Sequence, residues 1–337
     1  MQAQPLLTIA IPTYNRATYL RQTLVQLQLE ISSHHLSNIE ILVSDNASPD
    51  STQQIVTELQ DSGFNIRYLL NSDNIGSDAN IAQCFNTAKG YYVLILGDDD
   101  LFCDGSLKWL MTVLEQNEYG AICMRLYGFD HDFRREYPGA FGRDQTFNDT
   151  GEFLVTIGSL VTSISGCVIN KRCLLGIDAN VFCGSNLVQV HLVVQAALRV
   201  GHNLYSSRYH MACKRNNSGG YDYVQVFVER LGEILDSYQT LGLSRQSIIA
   251  FDKRMILGHL PFYLLKQRLG NSGDQKANAL RLRSRYKNFL IFWIFLMPIV
   301  VMPRFIAIFW GGTSTFIGRI CYGDFLRGFY FLLNKIH

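Results

Sequence analysis

The chain has 337 residues, which is enough for one large domain and an appendage, and its formal net charge at pH 7 is +2. This near balance of charge excludes a strongly basic protein, so the composition does not predict binding to nucleic acid. The eight cysteines form no Cys-x-x-Cys pair, which argues against a zinc site or a disulfide framework and favours reduced thiols in the cytoplasm. Since no basic start precedes an apolar core at the N-terminus, we expect no signal peptide.

Strand-like and helix-like segments alternate along the first hundred residues. Short apolar runs predict strands, and apolar residues at helical spacing predict helices. The predicted strands are 6–11, 39–43, 66–70 and 92–96, and the predicted helices are about 17–31, about 51–61 and a segment that ends near 88. Such alternation is typical of an α/β domain with a parallel sheet.

The fourth predicted strand runs directly into Gly97 and three consecutive aspartates at 98–100. Three carboxylates at one strand end repel one another, a cost that a bound divalent cation would remove, although a solvated acidic turn is the plain alternative. Polar loops containing Tyr14, Asp45 and Asn74 follow the first three strands. Because ligands of parallel sheets bind beyond the carboxyl ends of the strands, we expect these four loops to converge on one crevice. No Gly-x-Gly-x-x-Gly or P-loop motif follows the first strand, which argues against those two nucleotide sites.

Four short motifs occur in order at the predicted strand ends. They are Ile-Pro-Thr-Tyr-Asn-Arg at 11–16, Val-Ser-Asp-Asn-Ala-Ser at 43–48, Asn-x-Gly at 74–76 and Gly-Asp-Asp-Asp at 97–100. Together they resemble family 2 glycosyltransferases over residues 6–103, and the last motif is most similar to the abequosyltransferase-like branch of O-antigen and deoxysugar transferases. The resemblance implies the α/β GT-A fold, a nucleotide-diphosphate sugar donor and a Mn²⁺ or Mg²⁺ cofactor.

The resemblance also assigns roles to individual residues. The residues that it places at the nucleotide-sugar donor are Pro12, Tyr14, Arg16, Asp45, Asn46, Ser48, Asn74, Gly76, Asn80 and Asp98. It makes Asp99 and Asp100 the metal ligands and His210, after a predicted strand at 203–209, a candidate third ligand. A structural histidine at a strand end is the alternative for His210. The family's usual first acid falls on Gly97 here, so the choice among the three carboxylates stays open.

The acceptor is expected to bind to residues 104–218. The predicted elements there are a helix at 105–117, a strand at 121–129, a charged loop at 130–149 and a strand at 164–169. The resemblance makes the last of these the acceptor-side strand, whereas the loop suits acceptor contact and a solvated excursion equally well.

The base for an inverting transfer has no clear position in this sequence. Such a base is usually a carboxylate, and the family commonly carries Glu-Asp at the start of the helix that follows the acceptor-side strand. The corresponding segment 185–192 contains no acid. The candidates are therefore His191 in that segment and Asp144, Asp149 and Glu152 in the preceding region, with a buried structural role as the alternative for His191.

The C-terminal third combines helical spacing with a long apolar stretch. The pattern is helical over 221–269, and a basic cluster at 281–287 precedes an apolar stretch at 289–310. This stretch is about long enough to cross a bilayer. Because Pro298, Pro303 and Arg304 interrupt it, an interfacial hairpin fits at least as well, and the basic cluster suits the anionic cytoplasmic leaflet. A second amphipathic segment is expected among Phe316, Arg319, Phe325, Arg327, Phe329, Phe331 and Lys335. A homo-oligomer interface or a buried helical bundle is the alternative.

These patterns predict three regions. Residues 1–218 form a GT-A catalytic domain with a nucleotide-sugar half at 6–103 and an acceptor half at 104–218, 219–275 form a helical extension, and 276–337 form a membrane-associating segment. The predicted function is a metal-dependent, inverting glycosyltransferase on the cytoplasmic face of the membrane, acting on a glycan or lipid-linked acceptor in O-antigen or lipopolysaccharide synthesis. A polyprenyl-phosphate sugar transferase is one alternative, since an ionised acceptor makes a missing base less of a problem. A catalytically inactive nucleotide-sugar-binding scaffold is the other.

Overall fold

The computed structural model describes residues 4–215, 220 and 222–322. The chain divides into two compact units, of which the first comprises Met1–Phe153 and Leu160–Gly219, and the second Leu154–Ser159 and Gly220–His337.

The described part of the first unit contains nine strands. They are β1 (Leu7–Thr13), β2 (Ile39–Asp45), β3 (Ile66–Leu70), β4 (Tyr92–Ile95), β5 (Leu101–Phe102), β6 (Ala121–Phe129), β7 (Asp144–Phe147), β8 (Cys167–Asn170) and β9 (Asn203–Lys214). The helices of this part of the chain are α1 (Ala17–Ser33), α2 (Thr52–Asp61), α3 (Ser77–Thr87), α4 (Ser106–Gln116), α5 (Thr150–Ile157) and α6 (Val188–Val200).

The strands form one mixed sheet in the order β3-β2-β1-β4-β8-β6-β9-β5, with β7 paired to β9. The half formed by β3, β2, β1 and β4 is parallel, so the carboxyl ends of these strands lie at one edge. One hydrophobic core joins the sheet to α1, α2 and α4 through residues such as Ile9, Leu24, Val56 and Leu110. The predicted parallel α/β sheet is therefore confirmed for the first hundred residues.

Two predictions in the acceptor half differ from the structure because of strand pairing. The loop expected at 130–149 contains β7, which pairs antiparallel with β9. The strand expected at 203–209 continues to Lys214, because β6 and β5 also pair with this strand and satisfy the backbone of its polar residues. His210 therefore lies within β9 and not beyond its end.

The described part of the second unit consists of helices and the turns that connect them. Its helices are α7 (Leu231–Ser237), α8 (Arg245–Arg254), α9 (Leu260–Leu269), α10 (Gln275–Tyr286), α11 (Leu290–Phe295), α12 (Met297–Val301) and α13 (Arg304–Cys321), with π-helical segments at Gln225–Arg230 and Met255–His259. The apolar stretch predicted at 289–310 is thus divided among α11, α12 and the first turns of α13. No helix in the described part of the chain is both long and apolar enough to cross a membrane. The residues of the predicted second amphipathic segment from Phe325 onward lie outside the described residues.

Helix α13 packs through small residues onto α9 and the π-helical segment before it. A Cβ atom at Gly318 would lie 1.9 Å from the carbonyl oxygen of Leu257, and one at Gly311 would lie 3.2 Å from the Leu265 side chain. Only a glycine at 318 permits this close approach of the two backbones.

Replacing Gly318 with alanine should lower the free energy of unfolding by about 1–3 kcal/mol, because the added methyl group overlaps the Leu257 carbonyl. Gly312→Ala on the same helix is the matched control, since nothing lies within 4 Å of its added Cβ. That control should stabilise the protein by about 0.5–1 kcal/mol through helix propensity. Urea unfolding of both variants measures the difference, and equal effects of the two substitutions would contradict the close packing of α13.

Candidate active site

Hydrogen bonds connect the loops that follow β1, β2 and β3. The backbone N–H of Asn46 donates to the carbonyl oxygen of Thr13 at 3.0 Å. The N–H of Asn15 donates to Ser48 Oγ at 2.8 Å, and Asn46 Nδ2 donates to Asn74 Oδ1 at 2.8 Å. These three loops therefore converge at the carboxyl edge of the parallel half of the sheet, as predicted.

The loop after β4, residues 97–100, joins the same group of loops and is called the acid loop below. Thr13 Oγ1 donates to Asp98 Oδ2 at 2.7 Å. One nitrogen of Arg16, Nη1, lies 3.0 Å from Asp98 Oδ1 and 3.3 Å from Asp99 Oδ2. The predicted convergence of all four loops is confirmed.

Buried hydroxyl groups form hydrogen bonds to the acid loop. Thr23 Oγ1, on α1, donates to the carbonyl oxygen of Asp98 at 2.9 Å. Ser165 Oγ accepts from the N–H of Gly97 at 2.9 Å and donates to Asp100 Oδ2 at 2.5 Å. Burial raises the pKa of Asp98 to about 6, and burial together with the neighbouring Asp99 raises that of Asp100 to about 7. These shifts reflect chiefly the cost of burying charged carboxylates, a cost that a bound cation would relieve.

The carboxylates of Asp99 and Asp100 both lie close to Gly97. A Cβ atom at Gly97 would lie 3.0 Å from Asp100 Oδ2 and 3.3 Å from Asp99 Oδ1. A side chain at 97 would therefore press on both carboxylates and shift them by a few tenths of an ångström. Carboxylate oxygens on one or two residues, completed by substrate phosphate, are what Mg²⁺ commonly uses. The donor set fits such an ion, although the described residues hold no group of three or more His, Cys, Asp or Glu side chains arranged to bind a metal.

His210, the predicted third metal ligand, lies elsewhere. Its ring stacks on Trp109 with the centroids 3.8 Å apart. Its Nε2 lies 2.8 Å from Ser206 Oγ and its Nδ1 3.1 Å from Ser106 Oγ. Burial lowers the pKa of His210 to about 4. Because β9 continues past this residue, its side chain packs against α4, and the assignment to the metal is not supported.

The predicted donor residues fall into exposed and buried groups. Tyr14 is 45% exposed, whereas Asp45 is fully buried. Asp45 accepts from the Tyr68 hydroxyl at 2.5 Å and from the N–H of Ser48 at 2.9 Å, so it shapes the loop after β2. Pro12 belongs to β1 and is half-buried.

Asn74 and Gly76 stay at the rim of the crevice, but Asn80 does not. The N–H of Gly76 donates to Asn74 Oδ1 at 2.9 Å, which fixes the turn before α3. Asn80 is 3% exposed, and its side chain accepts from Ser44 Oγ at 2.6 Å and donates to the carbonyl oxygen of Ser44 at 3.0 Å. Asn80 therefore joins α3 to β2, and direct contact with the donor is not supported.

The four base candidates, Asp144, Asp149, Glu152 and His191, do not share one environment. Asp144 pairs with Arg208 at 2.5 Å and also accepts from Ser206 Oγ and Trp109 Nε1. Burial raises the pKa of Asp144, but these hydrogen bonds outweigh it and hold the pKa below its usual value. Asp149 Oδ1 accepts from the N–H of Glu152 at 2.7 Å at the start of α5, and the His191 ring stacks on Phe182 with the centroids 4.4 Å apart. Burial lowers the pKa of His191 to about 4.

Sequence reasoning missed Thr13, Thr23 and Asp78. Thr13 lies within the first motif, so its position at a strand end could have revealed it, whereas Thr23 gave no signal beyond its place on α1. Asp78, two residues after the Asn-x-Gly motif, accepts from the N–H groups of Gly184 at 2.7 Å and Asn186 at 2.9 Å. It thereby ties the donor side to the segment before α6, where the family's Glu-Asp is missing.

The sequence is similar to that of several known proteins. Residues 8–175 match the family model described as Glycosyl transferase family 2. These residues therefore belong to glycosyltransferase family 2. The chain is 36% identical over 121 residues to abequosyltransferase RfbV of Salmonella typhimurium, which covers 36% of each protein. It is 33% identical over 108 residues, 32% of this chain and 34% of the relative, to the GalNAc(5)-diNAcBac-PP-undecaprenol beta-1,3-glucosyltransferase of Campylobacter jejuni. The matches span about a third of the length of these relatives.

Solved structures are similar to this protein over most of the chain. The structure of Staphylococcus aureus TarS 1-349 in complex with UDP-GlcNAc has a TM-score of 0.61 at 15% identity and covers 92% of this chain and 90% of that one. The mannosyltransferase PcManGT of Pyrobaculum calidifontis, in complex with GDP-Man and Mn²⁺, has a TM-score of 0.53 at 14% identity and covers 93% and 88%. At these identities the likeness concerns the fold alone, and it confirms the predicted α/β GT-A fold.

The buried His210 makes stability depend on pH. With a pKa of about 4 in the folded chain against about 6.5 when unfolded, the unfolded state binds more protons between these values. Stability should therefore fall as the pH drops below 6.5, by about 1.4 kcal/mol at pH 5.5 from this residue alone. In urea unfolding, His210→Gln should be less stable than the parent at pH 7.5. Between pH 7.5 and 5.5, its free energy of unfolding should fall by about 1.4 kcal/mol less than that of the parent. An unchanged pH slope would contradict a buried, neutral His210.

Proposed function

We propose that this protein transfers a sugar, with inversion, from a nucleotide-diphosphate sugar to a lipid-linked glycan during synthesis of a cell-surface polysaccharide such as O-antigen. The reaction would take place on the cytoplasmic face of the membrane. The observation that carries the proposal is the hydrogen-bonded convergence of four strand-end loops around the acid loop, with Arg16 bridging Asp98 and Asp99. Such a crevice at the carboxyl edge of an open α/β sheet is where this class of fold binds its ligand.

The named relatives support the substrate class. One relative is named as an abequosyltransferase, and the name of another specifies a glycan carried on PP-undecaprenol. The two structures of similar fold hold UDP-GlcNAc and GDP-Man, which are both nucleotide-diphosphate sugars. The chemistry common to these ligands is a base, a ribose, a diphosphate and a sugar, and a donor of this class is what we propose for the crevice.

Each exposed group of the crevice has a task in donor binding. The Tyr14 ring would stack on the base, because it is an exposed aromatic face beside a loop that the buried Asp45 holds rigid. Asp99, whose side chain is 12% exposed against 5% for Asp98, would be the first ligand of Mn²⁺ or Mg²⁺, with Asp100 beside it. When bound, the cation supplies positive charge that stabilises the departing nucleoside diphosphate.

A lipid phosphate is the alternative acceptor. Asp144 is paired with Arg208, Asp149 caps α5, and the segment before α6 contains no acid. An acceptor that is already ionised needs no base to remove a proton, so a polyprenyl phosphate would suit this arrangement. Turnover of donor with polyprenyl phosphate but not with a lipid-linked glycan would favour this second reaction. Release of sugar from the donor by the parent protein, abolished by Asp99→Ala, would exclude an inactive scaffold.

Substituting Asp99 with asparagine should weaken donor binding in the presence of Mn²⁺ by about 10- to 100-fold, because the amide removes the charge that holds the cation. Asp61→Asn, at an exposed acid that ends α2, is the matched control and should bind donor like the parent. Isothermal titration with UDP- and GDP-sugars, with and without Mn²⁺, measures both affinities. Binding by Asp99→Asn equal to that of the parent, or no binding of any nucleotide sugar by the parent, would contradict the proposal.

A further inference from the structure

Helix α13 presents its large apolar residues outward and its small residues inward. Its buried positions are Ala307, Gly311, Ser314 and Gly318. On other sides of the same helix, Phe305 is 85% exposed, Phe309 70% and Ile320 50%. A helix on the surface of a globular protein in water shows the reverse arrangement, with its large apolar side chains against the core. The arrangement therefore suits a helix whose outer side faces an apolar medium.

This surface continues over the two preceding helices. Trp310 Nε1 donates to the carbonyl oxygen of Ile294 at 2.8 Å, which joins α13 to α11. The exposed apolar residues of the three helices form what we call the outer face, represented by Leu290, Trp293, Val301, Phe305, Phe309 and Ile320. Soluble monomers rarely expose so many large apolar side chains together, and such patches mark sites of interaction.

The charge around the outer face selects its partner. Residues 275–323 contain seven lysines and arginines and no aspartate or glutamate. Four of these cations, Lys276, Arg283, Lys287 and Arg304, are exposed. The Arg283 guanidinium lies 5.8 Å from the centre of the Trp293 ring. A second copy of the chain would bring like charges together at this face. An anionic lipid surface instead complements the cations and the apolar side chains at once.

The geometry of α13 favours a position along the membrane surface. Its 18 residues span about 27 Å, and Arg304 and Arg319 stand near its two ends. Arg304 donates to the carbonyl oxygens of Arg268 and Leu269, so its guanidinium is fixed at the end of α9. A cation held in this way would be costly inside the hydrocarbon core.

We propose that the outer face lies in the interfacial layer of an anionic bilayer, with α13 parallel to the membrane plane. Phe305 and Phe309 enter the acyl region, and Arg283 and Lys287 contact lipid phosphates. This inference rests on the membrane localisation given in the proposed function. Donor binding by the first unit does not depend on the membrane surface.

Flotation of the full chain with vesicles of phosphatidylcholine, with and without phosphatidylglycerol, tests this surface. The parent should float with the anionic vesicles and much less with the neutral ones. Phe305→Ser combined with Phe309→Ser should weaken binding by about 100-fold, because two aromatic side chains that the bilayer would bury are lost. Arg283→Gln combined with Lys287→Gln should weaken it by about tenfold and reduce its dependence on salt. Phe141→Ser removes a phenylalanine of the first unit that is 76% exposed, and this control should float like the parent.

Donor titration of the same proteins separates the two proposals. Donor binding should be unchanged in every variant, and intact donor binding without flotation of the parent would overturn the membrane surface alone. Flotation of the parent without any donor binding would overturn the proposed function alone. Equal binding to both kinds of vesicle, or flotation of the double serine variant, would overturn the proposal that the outer face binds the membrane. So would a dimer in sedimentation velocity that the serine variant abolishes, which would assign the outer face to a second copy of the chain.

Discussion

The crowding of three carboxylates at the end of β4 constrains the whole donor side of this protein. Asp98 is tolerated because Thr13 and Arg16 bind it, and Asp100 because Ser165 does. These partners come from β1, from the loop after it and from the segment before β8, so relieving the repulsion also fixes the shape of the crevice. Arg16 provides the positive charge in this structure. A divalent cation at Asp99 would compete with Arg16 for the same carboxylate.

The order of the elements and the meeting of the four loops could be predicted from the sequence, because both depend on local patterns and on one rule of parallel sheets. The direction of an individual side chain could not. Asn80 lies near a donor motif but turns inward to Ser44, since α3 must bury one side against the sheet. The sequence pattern predicts that the strand ends before His210, but pairing with distant strands extends β9 beyond it. Motif position alone does not contain this non-local information.

The C-terminal third shows a related limit of hydropathy. An apolar stretch at 289–310 predicts a bilayer crossing by its length, whereas the structure bends it into separate helices at Leu296 and again before Arg304. The spacing of Ala307, Gly311, Ser314 and Gly318 was a signal in the sequence, because small residues at intervals of three or four mark the side of a helix that packs closely. This spacing predicts that large apolar residues such as Phe309 lie on the outer side of α13, and the structure shows Phe309 exposed there.

The central claim is that Asp99, with Asp100 beside it, forms the metal end of a nucleotide-sugar crevice. Crystals grown with Mn²⁺ and a nucleoside diphosphate test it most directly, because Mn²⁺ scatters anomalously. We expect one strong peak about 2.1 Å from an Asp99 carboxylate oxygen and from the diphosphate, with Arg16 moved off Asp99. A bound nucleotide with no peak at the acid loop, or a peak at His210, would contradict the account.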